Sequence, residues 1–368
     1  QESSENNQFN KFNKEYRNAA IKLARTASTL FPLLQGISSV SLLLLLALGT
    51  SQIENGFITI GGLVALILYV ERLVFPTALL GFTINTFQLG QVSLDRIEDI
   101  FKSKPKIKNS KKDEIQVKEL KGLIEAKDLK IKYEGSNVFA LNGLNLKILP
   151  GELIAIVGPV GCGKTTLAKA LGRTIDIPSK QLFIDDIDIK EVNLNLLRKN
   201  IAIVPQEAFL FTSTISENLK FGDTKASIKL VKESARKASL IDDIDNFPMG
   251  FQTIVGERGI TLSGGQRQRT ALGRALLVDS PIIILDDALA SVDNKTASKI
   301  IKEIRQNNNK TILMISHQLS IAATCDRVLV MDQGIIVQEG LHKNLINVDG
   351  LYKKLWEREL AVSKLQKN

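Results

Sequence analysis

Gly158 to Thr166 reads GPVGCGKTT, set directly after the apolar run GELIAIV (151–157) and before the helical LAKALGRTI (167–175). A glycine-spaced loop between a buried strand and a helix start matches G-x-x-x-x-G-K-[ST]. Gly158, Gly161 and Gly163 let backbone N–H groups close around phosphates. Lys164 supplies the cation for the β and γ phosphates, and Thr165, followed by Thr166, offers a hydroxyl to Mg²⁺. Cys162 fills a variable position of the loop and is assigned no chemistry.

Downstream, Ile282 to Asp287 (IIILDD) is an apolar strand ending in two carboxylates. Beside a phosphate loop, such an end suits Asp286 for Mg²⁺ and Asp287 for polarising an attacking water. Further apolar runs at Leu153 to Val157, Ile201 to Val204, Thr311 to Ile315 and Arg327 to Met331 alternate with turns and helical stretches. Strands buried on both faces read as continuous apolar runs, so residues 123–368 are expected to form a parallel α/β domain.

The first hundred residues are different. Residues 1–29 carry Lys11, Lys14, Arg17, Lys22 and Arg25 among good helix formers, which predicts a charged helix leading toward a membrane. Residues 30–50 (LFPLLQGISSVSLLLLLALGT) hold no charge and are long enough to cross about 30 Å of hydrocarbon. A turn at Ser51 to Gly56 leads to a second apolar stretch, 57–87, interrupted by Glu71 and Arg72. The loop between them has Glu54 and no Lys or Arg, whereas both flanks are basic, so both ends of the hairpin are expected on the cytoplasmic side.

The net charge of +9 does not imply nucleic acid, because Lys102 to Lys121 holds eight lysines against Asp113, Glu114 and Glu119. That stretch, 101–122, reads as a solvated basic linker near an anionic membrane face. Cys162 and Cys325 are the only cysteines and form no CxxC pair, which fits a reduced compartment. The chain opens on Gln1 without an apolar leader and is read as a fragment.

Leu262 to Gln266 reads LSGGQ, and with it stand Tyr133 upstream of the phosphate loop, Gln206 in VPQ, Ser291 to Asp293 after the acidic strand end, and His317 in ISHQLS. With these motifs in order, the chain resembles the ATP-binding-cassette superfamily over residues 120–360. Thr253 to Gly259 (TIVGERG) resembles a segment peculiar to its exporters. YVERLVFP with SLDRIEDIF resembles their last membrane helix and its run into the cassette. The fold implied is an α/β P-loop nucleotide-binding domain behind an all-α partial transmembrane domain, residues 1–100, the last two helices of an exporter bundle. About four earlier helices are then absent here.

The resemblance implies ATP and Mg²⁺ as cofactors. It makes Tyr133 the adenine-stacking aromatic, Gln206 a residue touching Mg²⁺ or the attacking water, and His317 the switch histidine at the γ phosphate. Ser263, Gly264, Gly265 and Gln266, with Asp293, belong to the nucleotide-binding set, the signature residues meeting ATP held by the opposite cassette. His342 is assigned nothing.

The sequence departs from the family pattern at Asp287, where most cassettes have Glu. A carboxylate drawn back by one methylene is displaced by about 1 Å, which costs on the order of 100-fold in rate. A heterodimer of half-transporters is therefore favoured over a homodimer, this half holding a slow site. Three readings follow: an exporter subunit moving a small amphipathic compound across an inner, plasma membrane as a multi-pass protein in contact with lipid; a mainly regulatory nucleotide-binding half; and a soluble cassette ATPase. The membrane hairpin counts against the third, and Asp287 discriminates the first two. No nucleic-acid partner is expected.

Overall fold

The computed structural model describes residues 2–109, 119–305 and 310–365. Lys111, Lys112, Asp113, Glu114 and Lys118 of the expected linker lie outside them. The chain divides into two compact units, Gln1–Lys104 and Pro105–Asn368.

The first unit is a helical hairpin of α1 (Glu2–Glu54) and α2 (Ile60–Lys102). The charged segment and the first apolar segment form one continuous helix, because nothing between Ser28 and Leu34 breaks it except Pro32, which α1 contains. The turn falls at residues 55–59, later than Ser51 to Gly56: Gly56 takes φ +77° and Thr59 caps α2, accepting from the Gly62 N–H at 3.1 Å. Ser51 to Glu54 thus stay helical, and α2 starts at Ile60 rather than Phe57. It also continues past Phe87, taking SLDRIEDIF into the same helix.

Both helices are long and apolar enough to cross a membrane by length and composition. Their apolar side chains are exposed: Phe31, Leu43, Leu48, Phe75, Phe82 and Phe87 each show more than half their surface. Many of their hydroxyls are satisfied by the helix's own carbonyls, as hydrocarbon requires. Ser41 donates to the Ile37 carbonyl at 2.9 Å and Thr77 to that of Leu73 at 2.7 Å. Near the turn the helices meet where Gly49 faces Leu63, and a Cβ at Gly49 would lie 2.4 Å from Leu63 Cδ1.

The second unit is built on a six-stranded sheet in the order β10-β9-β3-β8-β7-β6. These strands are β3 (Leu153–Val157), β6 (Ile201–Val204), β7 (Ile282–Asp286), β8 (Thr311–Ile315), β9 (Arg327–Asp332) and β10 (Ile335–Gly340). All pairs are parallel except β9 with β10. Both faces are covered, and alternate residues feed separate cores. Ile154, Ile156, Leu313 and Ile315 pack on the face holding α3 (Lys164–Leu171), while Ala155, Val157, Ile312 and Met314 pack on the face holding α8 (Gly264–Leu277) and α9 (Asn294–Arg305). That two-sided burial is why these strands read as unbroken apolar runs.

A four-stranded antiparallel sheet, β2-β1-β4-β5, closes over the first core with β1 (Ile124–Lys132), β2 (Phe139–Ile148), β4 (Leu182–Ile184) and β5 (Ile187–Asp188). Helix α4 (Leu194–Asn200) precedes β6. Helices α5 (Ile215–Lys220), α6 (Ile228–Lys237) and α7 (Ile241–Asp245) build a third core around Leu219, Val231, Leu240 and Leu262. The TIVGERG segment is stitched to this part: the Ile215 N–H donates to the Thr253 carbonyl at 3.0 Å and the Val255 N–H to that of Ser213 at 2.8 Å. After β8 come the single turn α10 (Leu319–Ala322), then α11 (His342–Leu345) and α12 (Leu351–Leu365).

Candidate active site

The phosphate loop joins β3 to α3 at the C-terminal end of the parallel sheet, where open α/β sheets place their ligand sites. Two of its glycines have no substitute. Gly158 has φ +152° and a Cβ there would sit 2.1 Å from the Met331 carbonyl oxygen; Gly163 has φ +106° and a Cβ would sit 2.4 Å from that of Ala140. Lys164 is buried, its Nζ donating to the carbonyls of Pro159 at 2.8 Å and Gly158 at 2.9 Å. The ammonium thus folds back from the start of α3 onto the loop itself.

The Thr165 hydroxyl donates to Oδ1 of Asp286 at 3.2 Å, so the helix start and the acidic strand end are in contact. Burial pushes the Asp286 carboxyl up from the usual carboxylate range, and Asp287 beside it adds to this, while the Thr165 hydrogen bond and Lys164 oppose it. A hard cation offsets such a desolvated carboxylate, and Mg²⁺ takes few protein oxygens alongside phosphate and water. Thr165 and Asp286 fit that demand. Among the described residues no cluster of three or more His, Cys, Asp or Glu side chains could by itself hold a metal ion.

Asp287 follows β7 with a left-handed backbone, φ +51°, a conformation in which Asp is enriched over most side chains. Its N–H donates to the Ile315 carbonyl at 2.8 Å, and its buried carboxylate accepts from the His317 N–H at 3.4 Å. Gln206 and His317 are exposed at the mouth. Tyr133 completes the wall, its hydroxyl within hydrogen-bond distance, 3.2 Å, of Thr166 Oγ1. Tyr133, Gly161, Gly163, Lys164, Thr165, Thr166, Gln206, Asp286, Asp287 and His317 all line one cavity of about 350 Å³.

The signature residues lie elsewhere. Ser263 and Gln266 form a capping box at the start of α8: the Gln266 N–H donates to Ser263 Oγ at 3.2 Å and the Ser263 N–H to Gln266 Oε1 at 2.9 Å. Gly265 packs on Ser291, where a Cβ would come 2.8 Å from the carbonyl oxygen. Gly264 lines a separate cleft with Gln206, Arg258, Arg267 and Ser291. Asp293 is engaged locally, its Oδ1 accepting from the Lys295 and Thr296 N–H groups at 3.1 and 2.9 Å at the start of α9. Those bonds, the Thr296 N–H first, hold its carboxyl below the usual range.

Gln268 was not singled out by sequence. It donates to the Asp287 carbonyl at 3.5 Å and accepts from the Ser291 N–H at 2.9 Å, linking α8 to the acidic strand end. Its one signal was a second glutamine in the helix that LSGGQ opens. A larger cleft, about 720 Å³, is lined by Ile283 of β7 and by side chains of α6, α8 and α9, and by none of the candidate nucleotide-site residues. Two of its lysines are paired, Lys237 with Glu233 at 2.9 Å and Lys310 with Asp279 at 2.8 Å, which leaves the phosphate loop the better anion site.

A phosphate-loop cassette with a capped signature helix, behind a long apolar hairpin, defines the nucleotide-binding class of membrane transporter. Residues 141–290 match the family described as ABC transporter, and residues 1–77 match the ABC transporter transmembrane region. The chain therefore carries an ABC transporter nucleotide-binding domain and part of an ABC transporter transmembrane region.

Its homologues are exporters of the Atm1 and multidrug type. The chain is 37% identical to the multidrug resistance-like ATP-binding protein MdlA of Buchnera aphidicola subsp. Baizongia pistaciae, over 95% of this chain and 60% of that protein. It is 33% identical to the ATP-dependent lipid A-core flippase of Paraburkholderia xenovorans, over 96% of this chain and 59% of that protein. The solved structure of a bacterial Atm1-family ABC exporter with ATP bound superposes with a TM-score of 0.84 at 31% identity, covering 94% of this chain and 60% of that one. The chain thus spans about 60% of the length of these relatives.

Proposed function

We propose that this chain is the ATP-hydrolysing end of an exporter half, which pairs with a second half and couples ATP turnover to the outward movement of a small amphipathic compound. The observation that carries this reading is the single cavity in which Lys164, Thr165, Asp286, Asp287 and His317 converge beside a helix start. In it Lys164 neutralises the phosphate chain, and the N–H groups around Gly161 and Gly163 bind phosphate oxygens. Thr165 and Asp286 hold Mg²⁺, which when bound offsets charge on the transferring phosphoryl group. Asp287 orients the attacking water, with Gln206 and His317 at the mouth, and Tyr133 offers a ring face to the base.

Gly264, at the signature helix start, lines a cleft that shares only Gln206 with the phosphate-loop cavity of its own chain, which supports a site completed by a second cassette. Asp287 favours a heterodimer: its short side chain slows its own site, while Ser263 serves the site on the partner. The homologues named for multidrug resistance and lipid A-core flipping support an amphipathic cargo and a membrane setting with the cassette in the cytoplasm. The test is to purify the full-length protein alone and with candidate partner halves in lipid and to measure ATP turnover for each. Turnover that rises severalfold only with a partner supports the paired exporter; absence of ATP turnover in every combination rejects the ATPase reading.

A further inference from the structure

We infer that Glu359, on the C-terminal helix α12, is a positioning residue for the segment that carries His317. The inference rests on the ATPase reading above. Strand β8 ends at Ile315, and Ser316, His317 and Gln318 lead straight into α10, a single turn whose N-cap residue, Gln318, provides no side-chain acceptor. The free N–H groups of a helix start need a partner. Here they find one about forty positions along the chain: the Leu319 N–H donates to Glu359 Oε2 at 2.7 Å and the Ser320 N–H to Oε1 at 3.1 Å. Both carboxylate oxygens are used, and an anion is the favoured partner there.

What this grips is the backbone two residues after His317. On the other side, the same segment is held by the His317 N–H to the Asp287 carboxylate and the Ser316 N–H to the Ile156 carbonyl at 3.2 Å. His317 is therefore suspended between Asp287 and a side chain of the last helix. Helix α12 is itself firmly seated. Tyr352 is fully buried, its N–H donating to Gln338 Oε1 at 2.9 Å, and its hydroxyl lies 2.7 Å from His342 Nδ1. Leu355 and Trp356 pack on the second core. Between α12 and the phosphate loop runs a cleft of about 580 Å³, lined by Pro159, Val160, His317, Leu355, Arg358 and Glu359, so the helix borders the loop as well as the switch. Glu359 transmits the position of α12 to the place where the histidine meets the site.

The test uses the full-length chain in lipid, with its partner half where one is needed for turnover, and the variants Glu359→Ala and Glu359→Gln. Hydrogen exchange at Leu319 and Ser320 should speed up at least tenfold in Glu359→Ala, a readout that needs no ATP turnover. Since a displacement near 1 Å costs up to about 100-fold, kcat of this chain's own site, read beside a partner half whose own nucleotide site is disabled, should fall about tenfold or more while KM for ATP stays within twofold, because no phosphate-loop contact is touched. Glu359→Gln, which keeps one acceptor and folds if the alanine variant does not, should recover part of both effects. Wild-type exchange and wild-type kcat in Glu359→Ala, or in Glu359→Gln should the alanine variant not fold, would overturn this inference alone. An unaltered chain that neither binds nor hydrolyses ATP would overturn the ATPase reading and this inference with it.

Discussion

The Thr165 hydroxyl donates to Asp286 Oδ1 at 3.2 Å, tying the first turn of α3 to the end of β7. That one contact brings two motifs 121 positions apart into a single site, and it fixes where Lys164 on one side and Asp287 on the other face each other's cavity. The consequences can be tested one group at a time.

Pairing is tested through Asp287 and Ser263. In the paired transporter, Asp287→Asn should leave most ATP turnover intact, because the slow site contributes little. Ser263→Arg should remove most of it by placing a bulky cation at the signature helix start. Steady-state phosphate release of the two variants decides between the assemblies. Comparable losses would fit a homodimer, in which every site uses both residues, and would reject the heterodimer.

Lengthening Asp287 tests why the site is slow. Asp287→Glu restores the missing methylene but puts a longer side chain at φ +51°, where a left-handed backbone costs about 1 kcal/mol. Turnover at this site, read beside a partner half whose own nucleotide site is disabled, should still rise, by roughly tenfold, since reach is worth more than that strain. An unchanged or lower rate in the variant would show that reach does not limit this site.

Much of the cassette was legible because its signals are local. The runs Leu153–Val157, Ile201–Val204 and Thr311–Ile315 are the strands β3, β6 and β8 residue for residue. The glycines of GPVGCGKTT announce a loop that only glycine can make. What escaped the sequence depends on contacts between distant residues or on helices running through a change of composition. Nothing local marks Glu359 as the cap of a turn near residue 319, or Gln268 as the bridge between Asp287 and Ser291. The polar segment 1–29 and the apolar one after it differ in composition yet share α1, because helix propensity persists across the change of environment. Asp293 shows the converse: a motif residue whose carboxylate is already engaged in capping α9.

Membrane orientation is open to labelling. A cysteine at Ser51, in the last turn of α1, should react with an impermeant thiol reagent from outside intact cells, and one at Ser103, just past α2, should not. The native cysteines interfere little, since Cys162 and Cys325 are buried. Labelling at Ser103 and not at Ser51 would invert the hairpin.

A pH effect follows from His342, whose proton affinity burial pushes down. With its folded pKa below the unfolded value of about 6.5, the unfolded chain binds the proton first, so stability is fully present above that value and falls as pH drops through it. The thermal midpoint of the purified chain should therefore decline between about pH 7 and pH 5.5. The decline should be smaller in His342→Gln. Parallel midpoint curves for the two proteins would remove His342 from the account.

The most direct measurement of the central claim is ATP affinity and turnover in the full-length protein with Lys164→Ala. The ammonium beside the Gly158 and Pro159 carbonyls is the loop's side-chain cation, and charge-assisted bonds of this kind are worth about 1.5 to 3 kcal/mol. ATP binding should weaken by about tenfold or more, and turnover at the site that Lys164 serves should disappear. Unchanged ATP affinity in a folded Lys164→Ala protein would contradict the assignment of this cavity as the nucleotide site.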